Sequence, residues 1–250
     1  MNINIYDVSK KAGVSIATVS RVLNGNTRVS EKTRDKVINA MKELDYTPNV
    51  FARGLGLNTM KTIGIMCIDS SDIYLANAVY YLEQELRKYN YDSILCCTGK
   101  DYNNKKNYLE LLLSKRVDGI ILAGSQFVEN TSKHNNDYII NAAKDVPIVL
   151  VNGYLDADNI YSVMCNDEEA VYNATKLLIN NSHRNIVYLY TSTSYSGMNK
   201  YRGYLKAINE AGITLPDEFH HLCGKNISHA RDYLTYLYDK GMKFDADRKS

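Results

Sequence analysis

The residues whose types and spacing suggest a definite chemistry lie in one stretch near the start of the chain, IYDVSKKAGVSIATVSRVLN, residues 5–24. It predicts two short helices joined by a tight turn at Gly13, with Ser15 capping the second helix. The outward side of that second helix carries short or polar side chains and one guanidinium: Ile16, Ala17, Thr18, Ser20 and Arg21. A helix with such a face suits a nucleic-acid groove, where it contacts base edges. The alternative is a helical hairpin whose polar face is merely solvated.

Neighbouring elements must hold this face in place. Asn4 is predicted to cap the first helix, with Asp7 in its first turn, near the positive end of the helix dipole. Ser30 is predicted to cap a third helix, on which apolar residues recur at helical spacing: Val37, Met41 and Leu44. This spacing places one apolar face of the third helix against the first two. The sequence therefore predicts a small, all-helical headpiece.

The chain offers no pattern typical of an enzyme or a metal site. Its cysteines are odd in number and form no CxxC or Cys/His spacing: Cys67, Cys96, Cys97, Cys165 and Cys223. We interpret them as reduced thiols. The histidines show no metal-ligand spacing, and there is no nucleophile elbow or phosphate-binding glycine-rich loop. We therefore expect no enzymatic activity, no metal and no cofactor.

Charge is distributed unevenly along the chain. Residues 1–60 contain nine Lys or Arg and five Asp or Glu, a formal charge of +4, which leaves −2 on the remainder of a chain whose total is +2. A basic end suits contact with phosphates, and a nearly neutral remainder suggests a separate role. No apolar run is long enough to span a bilayer, and no secretory signal peptide is recognised. We expect a cytoplasmic protein with no membrane association.

Five sequence blocks follow one another in the order and spacing of a known family: YDVSKKAGVS, ATVSRVLNG, VSEKTRDKV, LDYTPN and ARGL. On these blocks the sequence resembles the LacI/GalR family of bacterial repressors. The resemblance implies that Ile16, Ala17 and Arg21 face bases in the major groove, where Arg21 can donate to guanine O6 and N7. It also implies phosphate contacts that fix register, by Ser15, Thr18, Ser20, Asn24, Ser30, Thr33 and Tyr46.

Residues 48–60 are predicted to be a hinge helix and linker. Pro48 suits the first position of a helix, but Gly54 and Gly56 disfavour helix, so the segment is marginal alone and should fold only when paired with its twin on DNA. The resemblance implies that the minor groove is contacted here by Asn49, Ala52, Arg53 and Leu55. Leu55 would then wedge between central base pairs and kink the duplex. The alternative is a plain linker with an exposed leucine.

Beyond Lys61, short apolar runs alternate with amphipathic helices. The runs cover 63–68, 94–97, 119–122 and 148–151, and the helices roughly 74–89, 104–115 and 137–144. A second series follows from about Val163, with helices near 167–180, 200–211 and 228–239 and strands near 186–190 and 219–222. Continuous apolar strands separated by helices predict parallel βαβ units that are buried on both faces.

The predicted fold is an all-α helix-turn-helix headpiece followed by an α/β core of parallel sheets, similar to periplasmic binding proteins, with an incomplete second lobe. The domains are expected at 1–47 for the headpiece, 48–60 for the hinge, 61–162 for the first core lobe and 163–250 for a partial second lobe. Open parallel sheets bind ligands at the carboxyl ends of their strands. Such ends are expected after Ile68, Leu122, Val151, Val163 and Tyr190.

The resemblance implies an effector site in the cleft between the lobes, with candidate residues Asp69, Tyr74, Asn166 and Lys200. Tyr74 would stack on a ring of the ligand, although a surface tyrosine at a helix start is equally compatible with the sequence. Lys200 stands where the family commonly has the arginine of an R-x-x-G-F pattern, and lysine cannot make a bidentate contact. The family's Asp-Asn pair is Cys165-Asn166 here.

Relatives would continue beyond residue 250 with further βα units, and their last quarter has no counterpart in this sequence. We therefore expect the part after Val163 to be less stable than the first lobe and an effector to bind weakly or not at all. The sequence leaves open whether the short end reflects truncation or retained DNA binding with weakened control.

The function implied is a repressor of a bacterial metabolic operon. As a homodimer it would bind a pseudopalindromic operator of double-stranded DNA, normally under the control of a small sugar-like effector. The alternatives are a periplasmic-type small-molecule binding module and an unregulated remnant that only binds DNA.

Overall fold

The structure is a computed structural model, and it describes residues 3–47, 59–128, 136–224 and 226–249. In these ranges no helix has the length and apolar character that crossing a membrane requires.

Three helices form the headpiece: α1 Ile5–Ala12, α2 Ile16–Leu23 and α3 Glu31–Glu43. The Asn4 side chain accepts from the backbone N–H groups of Tyr6 and Asp7, and the Asp7 carboxylate accepts from the Asn4 N–H, so the predicted cap is confirmed as a full capping box. Gly13 ends α1 with a φ of 62°, a left-handed conformation that glycine adopts without a Cβ penalty. Buried aliphatic side chains from all three helices meet in a small core: Val8, Val19, Val22, Val37 and Ala40.

The first core lobe is built on a five-stranded sheet. Its strands are β1 Thr62–Cys67, β2 Asp92–Cys97, β3 Gly119–Ala123, β4 Ile148–Val151 and β5 Ile160–Val163, and its helices are α4 Ile73–Lys88, α5 Tyr102–Ser114 and α6 Asp137–Ala142. All neighbouring strands are parallel, in the order β2-β1-β3-β4-β5. The apolar runs of the central strands β1 and β3 are almost fully buried, which is expected of a parallel sheet with helices on both faces.

The second lobe has a three-stranded parallel sheet in the order β7-β6-β8. Its strands are β6 Ile186–Tyr190, β7 His220–Leu222 and β8 Ala246–Lys249, and its helices are α7 Asp167–Asn180, α8 Tyr195–Glu210 and α9 Ile227–Asp239. Helices α7 and α8 cover one face of β6 through a cluster that includes Tyr188 and Tyr204. Helix α9 covers the other face through a cluster that includes Val187, Leu189 and Leu237.

The predicted fold class, a helical headpiece followed by an α/β core of parallel sheets, is confirmed. Helix α8, however, begins at Tyr195 and not near residue 200, because the Ser194 side chain accepts from the Gly197 N–H and caps it there. The sequence analysis assigned no strand to the end of the chain, yet β8 pairs with β6 over Ala246–Lys249. That segment is mostly charged, so it lacks the apolar run by which the other strands were recognised.

Candidate DNA-binding surface and interlobe cleft

Helix α2 separates a buried face from an exposed one. Val19 and Val22 are buried in the headpiece core, whereas Ile16, Ala17 and Arg21 are exposed to solvent. Ile16 is 37% exposed although it is a large aliphatic residue. The three predicted base-contacting residues therefore share one accessible face of one helix.

The first turns of α2 and α3 open onto a common cleft of about 660 Å³. Its lining is hydroxylic and basic: Val14, Ser15, Thr18, Arg21, Asn26, Arg28, Val29, Ser30 and Thr33. Arg34 Nη2 donates to the Asn26 carbonyl over 2.8 Å, which holds the loop between the two helices. The positive ends of two helix dipoles, together with the Arg28 guanidinium, favour an anion in this cleft.

Each of these helix starts carries a serine–threonine pair. Ser15 Oγ lies 2.9 Å from Thr18 Oγ1, and Ser30 Oγ lies 2.9 Å from Thr33 Oγ1, while each serine oxygen also accepts the threonine N–H. A pair of hydroxyls has two protons and uses one between its members. The second proton in each pair is therefore left to donate to a phosphate oxygen.

The structure does not bring the remaining predicted phosphate-contacting residues into this cleft. Ser20 lies half-buried on α2, and Tyr46 packs half-buried against the headpiece core. Asn24 caps the C-terminus of α2, and within the described parts of the chain its buried Oδ1 atom has no hydrogen-bond partner. The predicted hinge residues Asn49, Ala52, Arg53 and Leu55 lie outside the described residues.

A second cleft, of about 300 Å³, lies between the two lobes at the carboxyl ends of β1, β3, β4 and β6. The structure brings two of the predicted effector residues together here, Tyr74 from α4 and Lys200 from α8. Across the lobes, Ser125 Oγ donates to Ser194 Oγ over 2.9 Å. The volume falls at the lower end of the range typical for small-molecule sites.

Polar contacts organise both walls of this cleft. Asn152 Nδ2 donates to the Tyr74 hydroxyl over 2.6 Å. Burial raises the pKa of Tyr74, and the nearby Cys165 adds to that rise, so the phenol stays neutral and keeps its proton for donation. Opposite, the Asp167 carboxylate accepts from Ser196 Oγ at 2.5 Å and lies 3.9 Å from Lys200 Nζ. The cleft thus presents neutral hydroxyls and an amide beside the Asp167–Lys200 pair and the Asp72 carboxylate.

The other two predicted effector residues do not line this cleft. The Asp69 carboxylate accepts from the N–H and hydroxyl of Ser71 and closes a local turn. The Asn166 side chain accepts from the Glu169 N–H and donates to its carboxylate, so it caps α7. Both residue types favour turns and caps, and local hydrogen bonds explain their positions.

Sequence reasoning named none of Ser125, Asn152, Asp167 and Ser194 as site residues, although all four line the cleft. A signal for two of them was present. Asn152 directly follows the end of β4, and Ser125 lies two residues after the end of β3, at the strand ends where open sheets bind ligands.

Two family models match the chain. Residues 4–49 match the model for bacterial regulatory proteins of the lacI family, and residues 60–246 match that for periplasmic binding proteins and the sugar-binding domain of the LacI family. An HTH-type transcriptional regulator of Lachnoclostridium phytofermentans is 57% identical over 243 residues, which is 97% of this chain and 73% of that protein. The HTH-type transcriptional repressor PurR of Mannheimia succiniciproducens is 34% identical over 217 residues, 86% of this chain and 63% of that protein. The chain thus spans less than two thirds of the second relative.

A crystal structure of the lac repressor dimer bound to operator and the anti-inducer ONPF superposes with a TM-score of 0.83 at 22% identity. The superposition covers 100% of this chain and 74% of that chain, and it shows the shared fold. The relatives are regulators and not enzymes, as the sequence predicted. By its two matched regions and its curated relatives, the chain belongs to the LacI family of bacterial regulatory proteins.

Proposed function

We propose that this protein is a repressor that binds a pseudopalindromic DNA operator as a homodimer and acts in the cytoplasm on a metabolic operon. The observation that carries the proposal is the basic cleft between the first turns of α2 and α3, beside the exposed face of α2. The names of two relatives, a transcriptional regulator and a transcriptional repressor, support it.

In this proposal the cleft holds a backbone phosphate and thereby sets the register of α2 in the major groove. Arg21, on the exposed face, forks onto guanine O6 and N7. Ile16 and Ala17 have no polar side-chain atoms, so they contribute apolar contact, which suits thymine methyl groups. The polar serine–threonine pairs at the two helix starts contact phosphate without reading sequence.

Two copies are needed for two half-sites, and α4 offers an apolar surface for pairing. Tyr80 and Tyr81 are 58% and 66% exposed and lie in edge-to-face contact with ring centroids 5.2 Å apart. Exposed aromatic side chains that adjoin one another favour a protein interface. A two-fold axis beside α4 would pair this patch with itself and place two headpieces on a symmetric site.

The interlobe cleft is proposed as the site of a small sugar-like effector. Its neutral hydroxyl and amide groups match the hydroxyls of a polyol, and Tyr74 offers an aromatic face to a sugar ring. The family model that covers residues 60–246 includes sugar-binding domains, which supports the same class of ligand. A stand-alone binding module is the other candidate, but it gives no role to the basic headpiece.

A mobility-shift selection from a pool of random DNA fragments tests the proposal. The full chain should enrich sequences with two half-sites related by a two-fold axis, about 10 base pairs from centre to centre. Failure to retain any sequence at low salt, together with a rise in melting temperature on addition of a sugar, would favour the binding module.

A further inference from the structure

Two cysteines from neighbouring strands face each other at the carboxyl edge of the first sheet. Cys67 is the last residue of β1 and Cys97 the last of β2, and the two are register partners in this parallel pair. Their Sγ atoms lie 3.6 Å apart. Successive side chains of a strand point to opposite faces, so Cys96 lies on the other side of the sheet from this pair.

The backbone spacing already suits a disulfide. Neighbouring strands lie about 4.8 Å apart, which is within the Cα···Cα range of roughly 4.4–6.8 Å that disulfides span. The two sulfurs need to approach by roughly 1.5 Å to reach the bonded length of about 2.05 Å. Rotation of the two side chains, with a small approach of the two strand ends, would supply this movement.

The two thiols differ in access. Cys67 is completely buried, whereas Cys97 is exposed to solvent. Burial and the adjacent Cys97 raise the pKa of Cys67 to about 12, so the buried thiol keeps its proton at neutral pH. Because the thiolate is the reactive form and access is also needed, a small oxidant reacts first at Cys97.

We propose that Cys67 and Cys97 form a modification site at which a hydroperoxide produces an intrachain disulfide. The Cys97 thiolate attacks the peroxide O–O bond and becomes a sulfenic acid while hydrogen peroxide releases hydroxide. The Cys67 sulfur then attacks the sulfenic sulfur as its proton passes to the departing hydroxyl, which leaves as water. The hydroxide from the first step takes up the proton that the Cys97 thiol released on ionising. In sum two thiols lose two electrons and two protons, and one peroxide becomes two waters.

The site lies beside one wall of the interlobe cleft. The Cys67 carbonyl accepts from the Thr98 N–H over 2.9 Å, and the Ile68 carbonyl accepts from the Gly99 N–H over 3.0 Å. Ile68 itself lines the cleft, as does Tyr74 a few residues on. The disulfide would add a covalent link between the ends of β1 and β2 at this wall. The proposal does not depend on DNA binding or on the identity of an effector.

The test treats the native full chain with hydrogen peroxide, alkylates the remaining thiols and maps the peptides by mass spectrometry. We expect the peptides that contain Cys67 and Cys97 to appear joined, lighter by two hydrogen atoms than the sum of the reduced pair, and to separate on reduction. The Cys97→Ser variant should lose this species and leave Cys67 reduced. The Cys165→Ser variant, which removes another exposed cysteine, should retain it.

Three results would overturn the proposal. In the first, Cys97 becomes sulfinic acid while Cys67 stays reduced. In the second, Cys97 is joined to a second chain, which non-reducing electrophoresis detects. In the third, the joined peptides form only after a denaturant has been added. Circular dichroism under the same conditions shows whether the chain is folded when it is oxidised.

Discussion

At the scale of single residues, the clearest pH-sensitive contact is in the second lobe. The His221 ring stacks on Tyr233 with centroids 3.7 Å apart and planes 4° from parallel. Burial lowers the pKa of His221 below its ordinary value of 6.5. The unfolded chain therefore binds a proton at a higher pH than the folded chain does, so this contribution to stability is present at neutral pH and declines as the pH falls through about 6.5.

We expect His221→Phe to keep the stack and to remove part of this acid sensitivity. Urea unfolding monitored by circular dichroism measures the effect. The pH values, about 7.5, 6.5 and 5.5, bracket the ordinary pKa of histidine. The free energy of unfolding should fall less on acidification in the variant than in the wild type. An equal fall in both proteins would exclude His221 as a source of the pH dependence.

The exposure of single residues was predictable where helical geometry alone decides it. Arg21 is exposed and Val22 is buried because the period of about 3.6 residues per turn assigns each residue of a helix to a definite face. The spacing of apolar residues in the sequence shows which face is buried. The family resemblance suggested Asp69 and Asn166, but a turn and a cap occupy their side chains. Which polar group remains available to a ligand depends on hydrogen bonds that spacing does not reveal.

At the scale of elements, most helices and strands were predictable because their apolar runs and caps are local. Strand β5 was not named as a member of the first sheet, and its burial pattern alternates, as expected of an edge strand. Strand β8 has almost no local signal and forms by pairing with β6. Tertiary contacts, and not propensity, determine these two elements.

The crossing of α7 and α8 depends on Gly203. A Cβ atom added there would overlap the backbone carbonyl of Glu168 on α7, and backbone cannot rotate away as a side chain does. Gly203→Ala should therefore reduce the free energy of unfolding by about 1–3 kcal/mol. Thermal and urea unfolding measure the loss.

Gly119→Ala is the matched control, because a Cβ at that position meets its nearest neighbour at 3.4 Å, close to ordinary contact. We expect a change near zero or a gain of about 0.4–1 kcal/mol from reduced entropy of the unfolded chain. Equal losses in the two variants would show that the close helix crossing is not the cause.

Asp118 joins the first sheet to the segment that leads from the headpiece. Its carboxylate accepts from Thr59 Oγ1 at 2.6 Å, from the Met60 N–H at 3.0 Å and from the Thr62 N–H at 3.3 Å. Asp118→Asn has one acceptor oxygen fewer and should lose about 1–3 kcal/mol of stability at this junction. Limited proteolysis should then cleave near residues 59–62 faster than in the wild type.

Asp145→Asn controls for charge. Asp145 and Asp118 line one cleft at the surface of the first lobe, but Asp145 is exposed, in the loop that follows α6. It should leave the cleavage rate unchanged. A similar acceleration in both variants would assign the effect to net charge and not to the three hydrogen bonds.

At the scale of the whole molecule, the proposed DNA contact and the proposed effector site lie in two parts of the chain that differ in charge. Residues 1–60, which include the headpiece, carry a formal charge of +4, while the remainder carries −2. DNA affinity should therefore decline steeply with salt, since each phosphate contact releases bound counterions. Ligand binding in the interlobe cleft, which offers mostly neutral hydroxyls and one ion pair, should depend on salt far less.

Helix α2 is proposed to read base sequence through Arg21. The most direct measurement is the affinity of wild type, Arg21→Ala and Lys42→Ala for the selected operator and for random DNA at one salt concentration. Lys42 is an exposed cation in the last turn of α3 and serves as the matched loss of charge.

Arg21→Ala should weaken operator binding by about 1–3 kcal/mol, the discrimination of a bidentate contact to guanine. Its binding to random DNA should fall much less, and Lys42→Ala should affect the two DNAs alike. An equal loss on operator and random DNA for Arg21→Ala would contradict the claim and reduce Arg21 to a phosphate contact.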